Sequence, residues 1–148
     1  MNIMAFDPGG TIGVAACYNN NLLSVFSVEL NETNNHWVLF NFLSSENPDK
    51  IIYEKFDNRG NIAADLIALE YIGVIRLWAQ INNRPVIVQR PGDVKPLWTD
   101  EKLKTLNLYI KGQPHANDAT RHLLHYITII LKNPFYLNEL RNRAALLK

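Results

Sequence analysis

The sequence predicts a mixed α/β domain whose five-stranded sheet has three antiparallel strands followed by two parallel strands, flanked by helices. Two apolar runs joined by a Pro-Gly-Gly corner open the chain, as in a β-hairpin. Further on, short β-branched runs alternate with longer apolar-periodic stretches, which is typical of strands joined by crossover helices. The chain has 148 residues, 47% of them hydrophobic, with no repeat or low-complexity segment. We therefore expect one domain covering residues 1–148.

The first strand ends on an acid, Asp7, which is followed directly by Pro8-Gly9-Gly10. Proline sets φ and the glycines permit unusual backbone angles, so the chain can reverse tightly at this point. Two interpretations of Asp7 remain open. It is either a turn aspartate that caps its own backbone, or a metal ligand held at the end of a rigid strand.

The next segments predict a third antiparallel strand, a helix and a parallel strand. Residues 22–30 alternate in polarity, and residues 37–43 give a short helix with a broad apolar face. Residues 50–56 then form an apolar run that again carries an acid, Glu54, at its end. A helix between two strands predicts a crossover, so this strand should lie parallel to the first. Glu54 and Asp7 should therefore share one edge of the sheet.

The longest predicted helix covers about residues 62–82, and its apolar residues occupy more than one face. A helix buried between two layers would explain this pattern. Alternatively, one face packs on the sheet and another contacts a second copy of the chain. We expect the second arrangement, a homodimer formed through this helix.

The last part of the chain predicts a fifth strand, parallel to its neighbour, followed by helices. The β-branched run over 84–90 is the strand, and the helical segments cover about 91–98, 100–108, 115–131 and 135–147. His115 and Asp118 are three residues apart in the first turn of one helix, so they share a face. His122 and His125 lie further along it, and we expect them to be packed or solvent-facing.

Charge, cysteine content and hydropathy restrict the class of protein. Residues 1–83 carry 4 Lys/Arg against 9 Asp/Glu, whereas residues 84–148 carry 11 against 5. This asymmetry fits a track for a phosphate backbone beside an acidic metal site, or chance on solvated faces. Cys17 is the only cysteine, which excludes an intramolecular disulfide and a cysteine metal cluster. With no signal-peptide pattern or membrane-length apolar run, a cytoplasmic protein is expected.

Four short motifs occur in an order that resembles one family. They are Asp7-Pro-Gly, Tyr53-Glu54, Arg90-Pro-Gly-Asp-Val-Lys95 and His115-Ala-Asn-Asp118-Ala119. Together with three opening antiparallel strands, they resemble the RuvC-type Holliday junction resolvases, which are ribonuclease-H-like nucleases. Pro96-Leu-Trp98 replaces the polar continuation of the bacterial enzymes, and in this the chain looks more like the divergent versions carried by bacteriophages.

The resemblance implies a metal-dependent endonuclease that cuts four-way DNA junctions as a homodimer. Hard oxygen ligands suit Mg²⁺ or Mn²⁺, two of which can activate water and stabilise the leaving oxygen. The implied metal ligands and catalytic residues are Asp7, Glu54, His115 and Asp118, with His115 as a ligand or a proton carrier. The implied DNA contacts are Lys95, Lys104, Arg59 and Phe56, of which Phe56 could instead belong to the core.

Two other functions fit the same residues. One is a ribonuclease-H-like enzyme that acts on RNA–DNA hybrid or unbranched DNA, which would not need two symmetric active sites. The other is a module that binds branched DNA without cutting it. Clustered carboxylates facing phosphate have no physical use in such a module, so the sequence favours a nuclease.

Overall fold

A computed structural model describes residues 1–18, 23–28, 35–56 and 62–146; for residues 23–28, 35 and 62–65 it describes the backbone only. The strands are β1 (Ile3–Asp7), β2 (Ile12–Cys17), β3 (Leu23–Val28), β4 (Lys50–Glu54) and β5 (Val86–Gln89). The helices are α1 (Asn35–Glu46), α2 (Ile62–Ile81), α3 (Pro91–Val94), α4 (Asp100–Thr105), α5 (Pro114–His125) and α6 (Pro134–Ala145). Among the described residues, no helix is long and apolar enough to cross a membrane.

The strands form one mixed sheet in the order β3-β2-β1-β4-β5. β2 pairs antiparallel with both β1 and β3, whereas β4 lies parallel to β1 and β5 parallel to β4. The helix α1 lies between β3 and β4 in the chain, and α2 lies between β4 and β5. The mixed α/β class and the parallel pairing of the first and fourth strands are therefore confirmed.

Alternate strand residues point to opposite faces of the sheet. The strands carry apolar side chains on both faces, and helices cover each face. On one face, β1 and β4 pack against α1 and α2 in a cluster that includes Phe6, Leu43, Tyr53, Ile75 and Trp78. On the other face, alternate residues of the same strands pack against α4, α5 and α6 in a cluster that includes Ala5, Ile52, Leu103, Leu123 and Leu140. The second cluster is the one that continues into the acidic edge of the sheet.

The helix α1 runs past its predicted end to Glu46. The hydroxyl of Ser44 donates to the carbonyl of Phe40 at 2.9 Å and accepts from Nε1 of Trp78 at 2.9 Å. These bonds give the Ser44 hydroxyl its partners within the last turn of α1, a segment that the sequence predicts as loop. Asn47 ends the helix with φ of 44°, in the left-handed region that asparagine tolerates.

The helix predicted through residue 131 changes geometry after His125. The chain continues as a π-helical turn over Tyr126–Ile130, and the amide of Leu131 donates to the carbonyl of Tyr126 at 2.8 Å. The hydroxyl of Thr128 donates to the carbonyl of Leu124 at 2.6 Å. This side-chain bond competes for the carbonyl that an α-helical amide would use, which favours a wider turn.

Candidate active site

Three strands direct polar side chains towards α5 from one edge of the sheet. They are Asp7 at the end of β1, Glu54 at the end of β4 and Gln89 at the end of β5. Each follows by two residues a hydrophobic side chain of the cluster beneath α5, namely Ala5, Ile52 and Ile87. Because side chains alternate along a strand, the three polar groups continue that face to the carboxyl ends of parallel strands.

The helix α5 supplies the opposite wall of the site. His115, Asp118 and His122 are spaced three and then four residues apart, so they follow one face of the helix. The side-chain amide of Asn117 accepts from the backbone of Ile110 at 2.9 Å and donates back to it at 2.9 Å, which anchors the first turn of α5. The helix therefore presents a fixed row of polar groups to the sheet edge.

Asp7 and His115 form a bonded pair between β1 and α5, with His115 Nδ1 2.7 Å from Asp7 Oδ2. An ionised carboxylate only accepts, so Nδ1 carries the hydrogen and Nε2 is the basic nitrogen of the neutral ring. Burial is the main cause that raises the pKa of Asp7, and the charges of Glu54 and Asp118 add to it against the hydrogen bond from His115. The hydrogen bond to Asp7 is the main cause that raises the pKa of His115, although burial opposes it.

Glu54 and Asp118 are joined by basic side chains. Lys95 Nζ lies 2.8 Å from Asp118 Oδ2 and 3.2 Å from Glu54 Oε2. The guanidinium of Arg121 binds Asp118 and also Asp100. Both carboxylates are therefore held at the sheet edge by cations of the protein itself, with Lys95 bridging them.

The charges of Glu54 and Lys95 stabilise each other. Burial tends to raise the pKa of Glu54, but the hydrogen bond from His122 and the charge of Lys95 outweigh it and hold the pKa below its ordinary value. Burial tends to lower the pKa of Lys95, but its hydrogen bond to Asp118 and both carboxylate charges raise it above its ordinary value. At neutral pH, Glu54 is therefore an anion and Lys95 a cation.

The donor atoms at this edge suit a hard divalent cation, since carboxylate oxygens from β1, β4 and α5 face one region. The position of Lys95 between two of the carboxylates indicates that a cation is stable there. Among the side chains that the structure describes, however, no group of three or more His, Cys, Asp or Glu is arranged to hold a metal ion. A metal ion would thus require Glu54 or Asp118 to exchange its contact with Lys95 for the ion.

Two of the other predicted DNA contacts, Lys104 and Phe56, have different surroundings. Lys104 is exposed, with Nζ 4.8 Å from the centre of the Tyr109 ring, and Tyr109 lines an open cavity of about 230 Å³ beside Asp118. Phe56 is half-buried and packs against the cluster under α1 and α2. Arg59 lies outside the described residues.

Sequence reasoning missed three partners of the acids, namely Gln89, Arg121 and His122. His122 is packed, which is one of its two predicted placements, but its fully buried ring also bonds to Glu54, and the sequence did not predict this contact. Its spacing of four residues from Asp118 and seven from His115 is the signal that could have found it. Arg121, three residues after Asp118, has the same kind of signal.

Comparisons with solved structures identify the fold. No protein-family model matches the sequence, and no curated protein is significantly similar to it. Two structures of Thermus thermophilus RuvC are each 20% identical in sequence to this chain. The structure in complex with a Holliday junction substrate gives a TM-score of 0.64 and covers 88% of this chain and 96% of that chain. The other structure gives a TM-score of 0.60 and covers 89% of this chain and 97% of that chain. Fowlpox virus resolvase in complex with its substrate Holliday junction DNA gives 0.55 at 20% identity over 86% and 99%. The chain therefore has the ribonuclease-H-like α/β fold of RuvC and the poxvirus resolvase.

Proposed function

We propose that this protein is a metal-dependent endonuclease that resolves four-way DNA junctions, and other branched DNA, as a homodimer. One observation carries the proposal. Asp7, Glu54, His115 and Asp118 come from three separate elements and meet at the carboxyl edge of parallel strands, on the fold of a junction resolvase. Ligand sites of open α/β sheets lie at this edge.

In this proposal, Asp7, Glu54 and Asp118 hold Mg²⁺ or Mn²⁺, with two ions per active site and His115 as a further ligand or a proton acceptor. When bound, such ions activate water and neutralise the charge that develops on the departing 3′ oxygen. Lys95 binds Glu54 and Asp118, which places its ammonium within the site, where it would contact the phosphate. Lys104, Arg59 and Phe56 are proposed to contact the DNA further from the scissile bond.

The pair formed by His115 and Asp7 supports a role for His115 in proton transfer. The ionised Asp7 holds the hydrogen on Nδ1, so Nε2 is the atom that would accept a proton from the attacking water. The ring is 40% exposed, so part of it is accessible to a substrate. A metal-bound His115 would instead use the same nitrogen as a ligand. Both roles need the neutral ring, so they require a pH above the pKa of His115, which the hydrogen bond to Asp7 raises.

An apolar stripe on α2 supports the homodimer. Ala68, Tyr71, Ile75 and Trp78 face the core. The opposite side of the helix exposes Leu66, Leu69, Gly73, Leu77 and Ile81, whose spacing follows the helical repeat. The four large side chains are 46–60% exposed. Large apolar side chains that share one exposed face of a helix favour an interaction surface there. A two-fold dimer provides two active sites, as paired cuts across a junction require.

We expect Leu77→Glu to separate the dimer. A buried leucine contributes about 1.5–3 kcal/mol and two-fold symmetry counts it twice, so the dissociation constant should rise at least about a hundredfold. Analytical ultracentrifugation over a concentration series measures this. The matched control is Leu97→Glu, which makes the same change at a leucine of similar exposure away from α2. Equal dissociation constants for both variants would exclude α2 as the interface.

The test of the proposed function compares three labelled substrates of shared sequence: a four-way junction, a replication fork and a linear duplex. Each is incubated with Mg²⁺, Mn²⁺ or a chelator. We expect paired nicks at symmetric positions of the junction, only with a divalent metal. Asp118→Asn, which removes one proposed ligand charge, should bind the junction without cutting it.

The other outcomes separate the alternatives. Binding of the junction without cleavage in either metal would indicate a structure-specific binding module. Equal cleavage of linear duplex, or preferential cleavage of an added RNA–DNA hybrid, would keep the nuclease and remove the junction specificity. Unpaired single nicks in the junction would contradict a dimer with two coordinated active sites.

A further inference from the structure

His122 is the most deeply buried polar ring at the acidic edge, with no exposed surface. It connects three elements: Nε2 lies 2.9 Å from Glu54 Oε2 on β4, and Nδ1 lies 2.8 Å from the side-chain amide of Gln89 on β5. Glu54 and Gln89 are opposite each other in the parallel pairing of these strands. The ring of His122 therefore spans the ends of β4 and β5 from its place on α5.

The direction of the bond to Glu54 follows from the chemistry of the two groups. An ionised carboxylate only accepts, so His122 Nε2 donates its hydrogen to Glu54 Oε2. In a neutral ring, Nδ1 is then an acceptor, which needs a donor from Gln89. A Gln amide can be turned by 180° with little change in shape, and this places its NH₂ group on Nδ1.

The surroundings of Gln89 favour that amide orientation. With its carbonyl oxygen towards His122, the Gln89 nitrogen is buried and has no hydrogen-bond partner among the described residues. Turning the amide gives the nitrogen a partner and moves the oxygen to the position that has none. A buried N–H donor without a partner is costlier than a buried carbonyl oxygen without one. Gln89 then fixes the hydrogen of His122 on Nε2, facing Glu54.

We propose that His122 is a positioning residue that sets the orientation of the Glu54 carboxylate, and that Gln89 selects its tautomer. The inference rests on the proposed function, in which Glu54 is a metal ligand. Glu54 Oε2 also contacts Lys95 at 3.2 Å, and the exchange of Lys95 for a metal ion would remove one restraint on the carboxylate. The buried His122 bond persists through that exchange, so Glu54 keeps its rotamer.

A purely structural role would have a simpler solution. The neighbouring sheet-facing positions of α5, such as Ala119 and Leu123, are apolar and equally buried. A buried imidazole is costly unless both nitrogens are bonded, and a hydrophobic side chain could fill the same space without that condition. One nitrogen of His122 bonds to Glu54, and the other bonds to Gln89, which lies opposite Glu54 in the sheet. Both bonds can therefore serve to orient the Glu54 carboxylate as a ligand.

The test compares His122→Phe, which keeps the ring and removes its nitrogens, with His122→Gln, which can return an N–H to Glu54. The matched control is His125→Phe, a half-buried histidine one turn further along, outside the acidic edge. Affinity for Mn²⁺ is measured by calorimetry on the protein without DNA. Junction cleavage is measured in parallel as kcat and KM, with circular dichroism and thermal unfolding to establish folding.

For His122→Phe, we expect Mn²⁺ affinity and kcat to fall about 10- to 100-fold with KM for the junction within about twofold. His122→Gln should recover most of both losses, and His125→Phe should match the wild type. Unchanged Mn²⁺ affinity and kcat in folded His122→Phe would overturn the proposal. A His122→Gln variant as impaired as His122→Phe would also overturn it, because a restored donor would then have no effect.

Ring-nitrogen NMR of the wild-type protein without metal supplies a readout that does not depend on cleavage. We expect hydrogen on Nε2 of His122 at neutral pH, and the loss of this single tautomer in Gln89→Leu. An unprotonated Nε2 would overturn the proposal even if every variant failed to fold. If the wild type binds Mn²⁺ with the expected His122 dependence but cuts no DNA, the proposed function fails and the positioning role stands.

Discussion

Asp7→Asn is expected to abolish junction cleavage without weakening the fold. Loss of one charged metal ligand should lower kcat about a thousandfold, equivalent to roughly 4 kcal/mol of barrier. Asparagine has almost the same shape, so the packing of β1 against α5 is kept. The effect should be on cleavage with Mg²⁺ and with Mn²⁺, while the affinity for the junction in the presence of a chelator is retained.

The pKa of Asp7 predicts the effect on stability. Because burial raises this pKa in the folded protein, folding favours the protonated carboxyl. Ionised Asp7 therefore opposes folding, and its contribution becomes less favourable as the pH rises from the ordinary value through the raised one. The asparagine of the variant has no charge to bury. In buffer without metal, the variant should thus gain stability relative to the wild type between acid and neutral pH, which denaturant titrations at several pH values measure.

Asp49→Asn is the matched control for this variant. Asp49 precedes β4 at the opposite end of that strand, where it accepts the amide of Asn2 at 2.7 Å and pairs with Arg84 at 3.3 Å. Its removal should cost about 1 kcal/mol or less and leave cleavage unchanged. If Asp7→Asn cleaves normally but is less stable than the wild type, Asp7 is a turn residue that caps its backbone, and the metal site is wrong.

The convergence of the acids could be predicted because it depends on local pattern and on one rule of topology. Each acid ends an apolar run that is short enough to be a strand, and the second run follows directly after a helix. A crossover of this kind makes the strands parallel, so both ends reach the same edge. Neither step needs the packing of side chains. The structure accordingly has β1 and β4 as parallel neighbours.

The partners of the acids depend on how deeply α5 sits on the sheet, which the helical repeat does not specify. The spacing of residues 115, 118 and 122 defines a face, but whether the last of them reaches solvent or Glu54 is decided by the approach of the helix. Lys95 shows the same limit. Its motif predicts a phosphate contact, whereas the position of α3 beside α5 directs its ammonium to Glu54 and Asp118.

The close approach of α5 to the sheet makes Gly13→Ala a severe change. A Cβ atom at Gly13 of β2 would lie 1.9 Å from the carbonyl oxygen of His115 and 2.5 Å from the amide nitrogen of Ala116. Both atoms belong to the backbone of α5, so no side-chain rotation can relieve the contact. The first turn of α5 must therefore move away from β2, and it carries His115 and Asp118 with it.

We expect Gly13→Ala to reduce the free energy of unfolding by about 3 kcal/mol, the upper part of the usual range for overpacking. Displacement of catalytic groups by about 1 Å costs roughly a hundredfold in rate, so kcat should fall by at least that factor in the protein that remains folded. Denaturant titration and junction cleavage measure the two effects separately.

Gly10→Ala is the control on the same hairpin, since a Cβ at that position meets nothing within 4 Å among the described residues. It should change neither stability nor cleavage by more than a small factor. If Gly13→Ala loses stability but cleaves like Gly10→Ala, the position of the α5 first turn does not limit the reaction, and His115 and Asp118 tolerate displacement from Asp7. If both variants lose cleavage while keeping their stability, the hairpin itself contacts the DNA. Cleavage then depends on the hairpin loop more than on the packing of α5 against β2.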